Sequence, residues 1–224
     1  ADVSTREPGA PVTGAGGLFS VANLQDESVQ DLTITAGTFD VSVNTQKITA
    51  TSLLINGGTL TATNGDIDIN GNLQVTSGTL TAPTAADDTS FTVSGNWEVS
   101  GTGIFTPGTG RVVFDATLSG KTITTSSSGA DDFYDLKFNI GEPSSWFLQD
   151  SLETTHLTIA YGTLDVDSDG GGAGTTISNI SVAGNWTGGG TFNERTGTVT
   201  FNGAAAQTIG AETFYNLTIN NSGT

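Results

Sequence analysis

The chain has no cysteine and no methionine, a single histidine, and only 6 lysines and arginines in 224 residues. Each scarcity excludes something. Without cysteine there are no disulfide staples, no thiolate nucleophile and no sulfur ligand for a metal. The lone His156 would need partners for a catalytic triad or a zinc site that the chain does not supply. Against 23 acidic residues the few basic ones leave a formal charge of -17, a field that repels nucleic-acid phosphates and anionic membrane surfaces alike. No apolar run reaches the length of a membrane-spanning helix. No stretch sustains a 3.6-residue apolar pattern over a helical length either, and Ala204 to Ala206 are too few to start a helix. The opening "ADVSTREPGAPVTG" reads as an extended segment, residues 1–14, at the start of a mature or trimmed chain.

What is abundant is glycine, 31 residues, about twice the ordinary share, together with threonine. The apolar residues alternate with polar ones in short runs. In "LTITAGTFDVSV", Leu32 and Ile34 alternate with threonine, and after Gly37 the pattern resumes with Phe39, Val41 and Val43. That is the two-residue period of a half-buried strand, repeated on either side of a glycine corner. "LLINGGTLTAT", "LQVTSGTLTAP", "LTIAYGTLDVD" and "FYNLTINNSGT" repeat the pattern. The Gly-Thr pairs at 37, 58 and 78 lie 21 and 20 residues apart, with further copies at 162 and 190.

A constant period near twenty, built of strands of three to six residues, marks a coil that stacks on itself. One coil cannot bury its inward residues alone, so stacking must align like on like in ladders. The expected fold is therefore all-β: a right-handed parallel β-solenoid with coils of about 20 residues, forming one domain over residues 15–224 with about ten or eleven coils. Its ladders should hold Leu32, Ile34, Phe39, Ile55, Leu60, Leu73, Val75, Leu80, Leu157, Ile159, Leu164, Leu217 and Ile219.

A longer unit overlies this period. Gly95-Asn96-Trp97 aligns with Gly184-Asn185-Trp186, and "INGNL" carries Leu73 where the tryptophans stand. "GRVVF…TIT…FYDLKFN" aligns in the same way with "GTVTF…QTI…FYNLTIN". What the copies share are strand and corner residues; no catalytic residue type recurs. The arrangement resembles the β-solenoid repeats of large prokaryotic cell-surface proteins, which include parallel β-helices and filamentous-haemagglutinin-like adhesins. The residues carrying the resemblance are Gly184-Asn185-Trp186, Gly190-Thr191-Phe192, Gly197 to Phe201, Gln207-Thr208-Ile209 and Phe214 to Ile219. The resemblance implies an exported, extracellular structural protein: a self-assembling subunit of a cell-surface or matrix fibre, or part of a longer adhesin, and not an enzyme. Its partners would then be copies of itself end to end, with no nucleic acid and no membrane insertion. The alternatives are a glycan-binding adhesin module and a polysaccharide-active β-helix protein.

Several sets of residues could bear chemistry. Asp165, Asp167 and Asp169 stand at alternate positions before Gly170-Gly171-Gly172, the first half of a calcium-loop pattern, and calcium is the one cofactor the chain could take. The acidic residue that would complete the loop is absent, with Thr176 in its place. Asp66, Asp68 and Asn70 repeat the pattern with Ser77 at the closing position. Sequons fall at Asn179, Asn185, Asn216 and Asn220. Sugar stacking would require Trp146 and Tyr161 to be exposed, because Trp97 and Trp186 belong to coil corners. Threonine-rich outer ladders could order water or ice, although aspartate interrupts them at Asp40 and Asp165. The pairs Asp87-Asp88 and Asp131-Asp132 read as solvated bends.

Overall fold

The computed structural model describes residues 18–20, 27–42, 46–125, 132–138, 144–171 and 176–223. The 1–14 segment lies outside them. The pairings between strands given below are all parallel, and no described residue is helical. The protein is a parallel β-solenoid with coils of about 21 residues. It makes about 8 turns rather than ten or eleven, because several coils are longer than the Gly-Thr period and one carries a side excursion. The chain divides into two compact units, Ala1–Gly110 and Arg111–Thr224.

In the first unit the strands are β1 (Leu18–Ser20), β2 (Glu27–Ile34), β3 (Thr38–Asp40), β4 (Lys47–Thr61), β5 (Asp66–Ile69), β6 (Leu73–Thr81), β7 (Phe91–Val93) and β8 (Trp97–Thr106). Alternation puts every second side chain inward, and parallel register stacks these into columns. One column runs Leu32, Leu53, Leu73, Trp97, and its neighbour runs Ile34, Ile55, Val75, Val99. A second wall stacks Phe39, Leu60, Leu80 and Phe105. A third stacks Ile48, Ile67 and Phe91 beside Ala50, Ile69 and Val93. The first column is buried throughout, Leu73 completely. Trp97 meets Phe105 edge-on at 4.8 Å, a geometry that adds ring-ring attraction to plain burial.

The corners explain the glycines. Gly78 has φ 86°, and a Cβ there would collide with the carbonyl of Gly58 one coil away, so only glycine allows both the turn and the close stack. The Gly-Asn corner works differently. The Asn72 side-chain oxygen accepts the Asn96 N–H at 2.9 Å, joining two coils where the backbone leaves the sheet ladder. On the outer faces Lys47 pairs with Asp68 at 2.8 Å, and Thr92 donates to the same carboxylate at 3.0 Å. Asp66 and Asp68 are thus the wet side of a strand whose Ile67 and Ile69 are buried.

The second unit contains β9 (Arg111–Phe114), β10 (Lys121–Thr124), β11 (Phe133–Phe138), β12 (Ser145–Leu148), β13 (Leu152–Ile159), β14 (Thr163–Asp165), β15 (Ile180–Val182), β16 (Trp186–Thr187), β17 (Thr191–Asn193), β18 (Thr198–Phe201) and β19 (Asn216–Ile219). Val112, Leu136, Leu157 and Trp186 form one column, and Phe114, Phe138 and Ile159 form the next. Phe114 and Phe138 stack at 5.5 Å. Trp146 lies 5.1 Å from Phe138.

Eleven of the thirteen named ladder residues are buried. The other two are a correction: Leu217 is 47% exposed and Ile219 61%. They sit in register on Val199 and Phe201, but no described strand covers their other side.

Candidate functional site

Alternate aspartates before a glycine turn have a structural use here. Asp165 Oδ1 accepts the Asp167 N–H at 2.9 Å, Asp167 Oδ1 the Asp169 N–H at 3.3 Å, and Asp169 Oδ1 the Gly171 N–H at 3.2 Å. Each carboxylate turns the backbone two residues on. The segment then leaves the coil as a short antiparallel ribbon, with Ser178 N–H donating to the Val166 carbonyl at 2.8 Å and Ser168 N–H to that of Thr176 at 3.1 Å.

A cation does meet Asp165, but it comes from the chain itself. Arg195 donates from Nε to Oδ1 at 3.0 Å and from Nη2 to Oδ2 at 2.5 Å. Its Nη2 also donates to the Gly170 carbonyl at 2.9 Å, and Asn193 Nδ2 donates to Oδ2 at 3.1 Å. Burial raises the Asp165 pKa, but the hydrogen bonds from Arg195, Asp167 and Asn193 and the guanidinium charge outweigh it, so the carboxyl stays below its ordinary range. In return Asp165 holds the Arg195 proton more firmly. Asp165 and Asp167 are buried, whereas Asp169 is exposed. The three do not converge: among the described residues no group of three His, Cys, Asp or Glu side chains is placed to hold a metal. Gly172 lies outside the described residues. Arg195 accepts a backbone φ of 45°, uncommon for a residue with a side chain, in the Glu194–Gly197 turn that delivers its guanidinium.

Of the two aromatic residues considered for sugars, Trp146 is fully buried and Tyr161 is 54% exposed. The Trp146 expectation is therefore corrected. Its ring faces Phe114 and Phe138 in the core, as β12 alternation requires.

The four sequon asparagines are exposed, and three of them staple coils through their side chains. Asn179 Oδ1 accepts the Thr198 N–H at 2.9 Å, Asn185 Oδ1 the Thr208 N–H at 2.9 Å, and Asn216 Nδ2 donates to the Thr196 carbonyl at 3.1 Å. Asn220 donates its backbone N–H to Phe201. His156 joins coils at a corner in the same way, for its Nδ1 accepts the Asn185 N–H at 3.1 Å, which places the ring proton on Nε2. We expect Asn185→Ala to cost about 1 kcal/mol, the net worth of such a bond, read by urea unfolding. An unchanged midpoint would show that water replaces the staple.

One group is not legible in the sequence. Asp132 reads there with Asp131 as a solvated bend; Asp131 lies outside the described residues, but Asp132 is half-buried. Its Oδ2 accepts the Glu153 N–H at 2.8 Å. Nearby, the Asp150 carboxylate accepts the Thr125 N–H at 2.9 Å and the Thr125 hydroxyl at 3.1 Å. Burial pushes Asp132 up to about 7; the hydrogen bonds from Glu153 and Thr125 oppose the shift, and the charges of Asp150 and Glu153 add to it. Asp87, by contrast, is a true bend: it accepts bonds from Thr89 and Ser90, and the Thr89 N–H leads in holding its pKa down.

No protein-family model, no curated protein and no solved structure matches this chain.

Proposed function

We propose that this chain is a structural element of an extracellular fibre or stalk, whose work is to stack coils into a stiff, in-register array. The observation that carries this reading is the unbroken inward columns of both units, from Leu32 to Trp97 and from Val112 to Trp186. The side chains that distinguish this sequence support stacking: glycine permits the close corners, asparagine and His156 join one coil to the next, and Arg195 fastens the excursion that follows Asp165. A glycan-binding reading would rest on Tyr161, since Trp146 is in the core. The residues of the surface-protein resemblance are themselves ladder and corner residues, and they favour the extracellular setting. Immunogold labelling of intact native cells with antibody against this chain is the test. Gold on filaments or stalks outside the cell is expected; label confined to the interior contradicts the reading.

A further inference from the structure

Four asparagines in this chain are followed by glycine: Asn56, Asn64, Asn70 and Asn202. In such a pair the glycine nitrogen, unhindered by a side chain, can attack the asparagine side-chain carbonyl and expel its amide as ammonia. The structure sets the four apart. The Gly65 N–H donates to the Ala62 carbonyl at 2.9 Å and the Gly203 N–H to Gln207 Oε1 at 3.1 Å, and both glycines are buried. A nitrogen must give up such a bond before it can act as a nucleophile. Asn70 is exposed, but among the described residues no donor reaches its side-chain oxygen.

Asn56 combines what the others lack. It and Gly57 are both exposed. The pairing of β4 with β6 shifts register here, stepping from Asn56 on Ser77 to Thr59 on Thr79, so Gly57 falls outside the in-register pairs. Its φ of 122° is a conformation that glycine adopts readily and other residues do not. The Ser77 hydroxyl donates to Asn56 Oδ1 at 3.0 Å. That oxygen gains negative charge when the carbonyl is attacked, and a donor already in place lowers the barrier. We propose that Asn56 is a self-modification site, where the adjacent Gly57 nitrogen and the Ser77 hydroxyl on the amide oxygen convert it to aspartate and isoaspartate. Base removes the Gly57 amide proton, and the nitrogen bonds to Asn56 Cγ. The Cγ–Nδ2 bond then breaks, and the amide nitrogen takes up a proton and leaves as ammonia, closing a succinimide ring. Water opens the ring at Cγ to give aspartate, or at the Asn56 main-chain carbonyl to give isoaspartate, whose chain runs through Cγ. No electrons are exchanged: one water is consumed and one ammonia released. Each conversion puts a negative charge on the outside of β4, and the isoaspartate form lengthens the main chain by one carbon where the ladder already steps over Gly57.

This chemistry is independent of the stacking role, and so is its test. The folded full chain is held at pH 8, and the acid content of each Asn-Gly pair is followed by mass spectrometry of its peptides. Asn56 should convert first of the four. Ser77→Ala should slow that conversion about fivefold, the worth of one hydrogen bond, and Ser77→Thr, which keeps a hydroxyl, should restore it. In urea, where the coils are lost, the four pairs should convert at similar rates and Ser77→Ala should make no difference. Conversion of Asn64, Asn70 or Asn202 in the folded chain as fast as Asn56 overturns the proposal, as does an Asn56 that keeps its amide. So does an Asn56 rate indifferent to Ser77→Ala, or a Ser77→Ala effect that persists in urea, because the hydroxyl meets the amide only in the folded coil.

Discussion

Replacing Arg195 with alanine lowers the unfolding free energy by about 2–3 kcal/mol. Removing one partner of a buried ion pair ordinarily costs roughly 3–5 kcal/mol, because the remaining charge is left without compensation. The Asp165 side chain is 1% exposed, so it fits that case, but the Arg195 side chain is 34% exposed, and water entering from its side reduces the loss. Arg195→Gly loses the same bonds while relieving the φ of 45°, and it should be milder than alanine by several tenths of a kcal/mol, up to about 1. Arg195→Lys restores charge but not the two-pronged contact with Asp165, and should recover less than half of the loss. The pH sign follows from Asp165, whose folded-state pKa is depressed. Its stabilisation is present above the ordinary value of 3.8 and is lost as pH falls through the lower folded value. Urea unfolding followed by tryptophan fluorescence at pH 7 and pH 3 reads both effects. An alanine variant as stable as wild type at pH 7 would show that the pair holds nothing in place.

Asp132 produces the opposite slope. Its folded-state pKa is raised from 3.8 to about 7, so between these values the folded protein keeps a proton that the unfolded chain has released. Stability is greatest below 3.8 for this group and declines as pH rises toward about 7. A full shift of that size corresponds to about 4 kcal/mol, and residual solvent access brings the expected loss to about 2–3 kcal/mol. Asp132→Asn keeps an oxygen to accept the Glu153 N–H and removes the charge facing Asp150 and Glu153. It should stabilise the protein at pH 8 by about 2 kcal/mol and be nearly neutral at pH 4. The measurement is the denaturation midpoint of both proteins from pH 4 to pH 8. Parallel curves would mean that Asp132 is ionised throughout, in contact with water.

Period-two alternation and the Gly-Thr interval make the inward columns legible, since a strand's facing is set by neighbours in sequence. Leu32, Leu53 and Leu73 align from sequence alone because the coils repeat. Contacts that depend on a particular loop cannot be read in this way. Asp165 and Arg195 lie thirty residues apart, and nothing periodic links them, so the aspartates resemble an ion loop while Asp165 is paired with an arginine from the next coil. Trp146 has polar neighbours in "EPSSWFLQD" that suggest exposure, although β12 alternation places it with Leu148 in the core. Asp132 gives no local sign of its setting, because the groups that act on it, Thr125, Asp150 and Glu153, come from neighbouring segments. Leu217 and Ile219 carry the right pattern for a ladder; whether a ladder residue is covered depends on the next strand, not on its own sequence.

Parallel stacking in this register is tested most directly by a pair of introduced cysteines, for which a chain without native cysteine is well suited. Thr59 and Thr79 are directly paired on adjacent coils, both partly exposed on the outer face. Neighbouring strands lie about 4.8 Å apart, within the Cα separation that a disulfide spans. Under mild oxidation Thr59→Cys, Thr79→Cys should form an intramolecular disulfide rapidly, with no loss of melting temperature, while Thr59→Cys, Thr81→Cys, displaced by two residues, should form it far more slowly. Equal rates for the two pairs, or faster closure of the displaced pair, would contradict the stacked register on which the structural role depends.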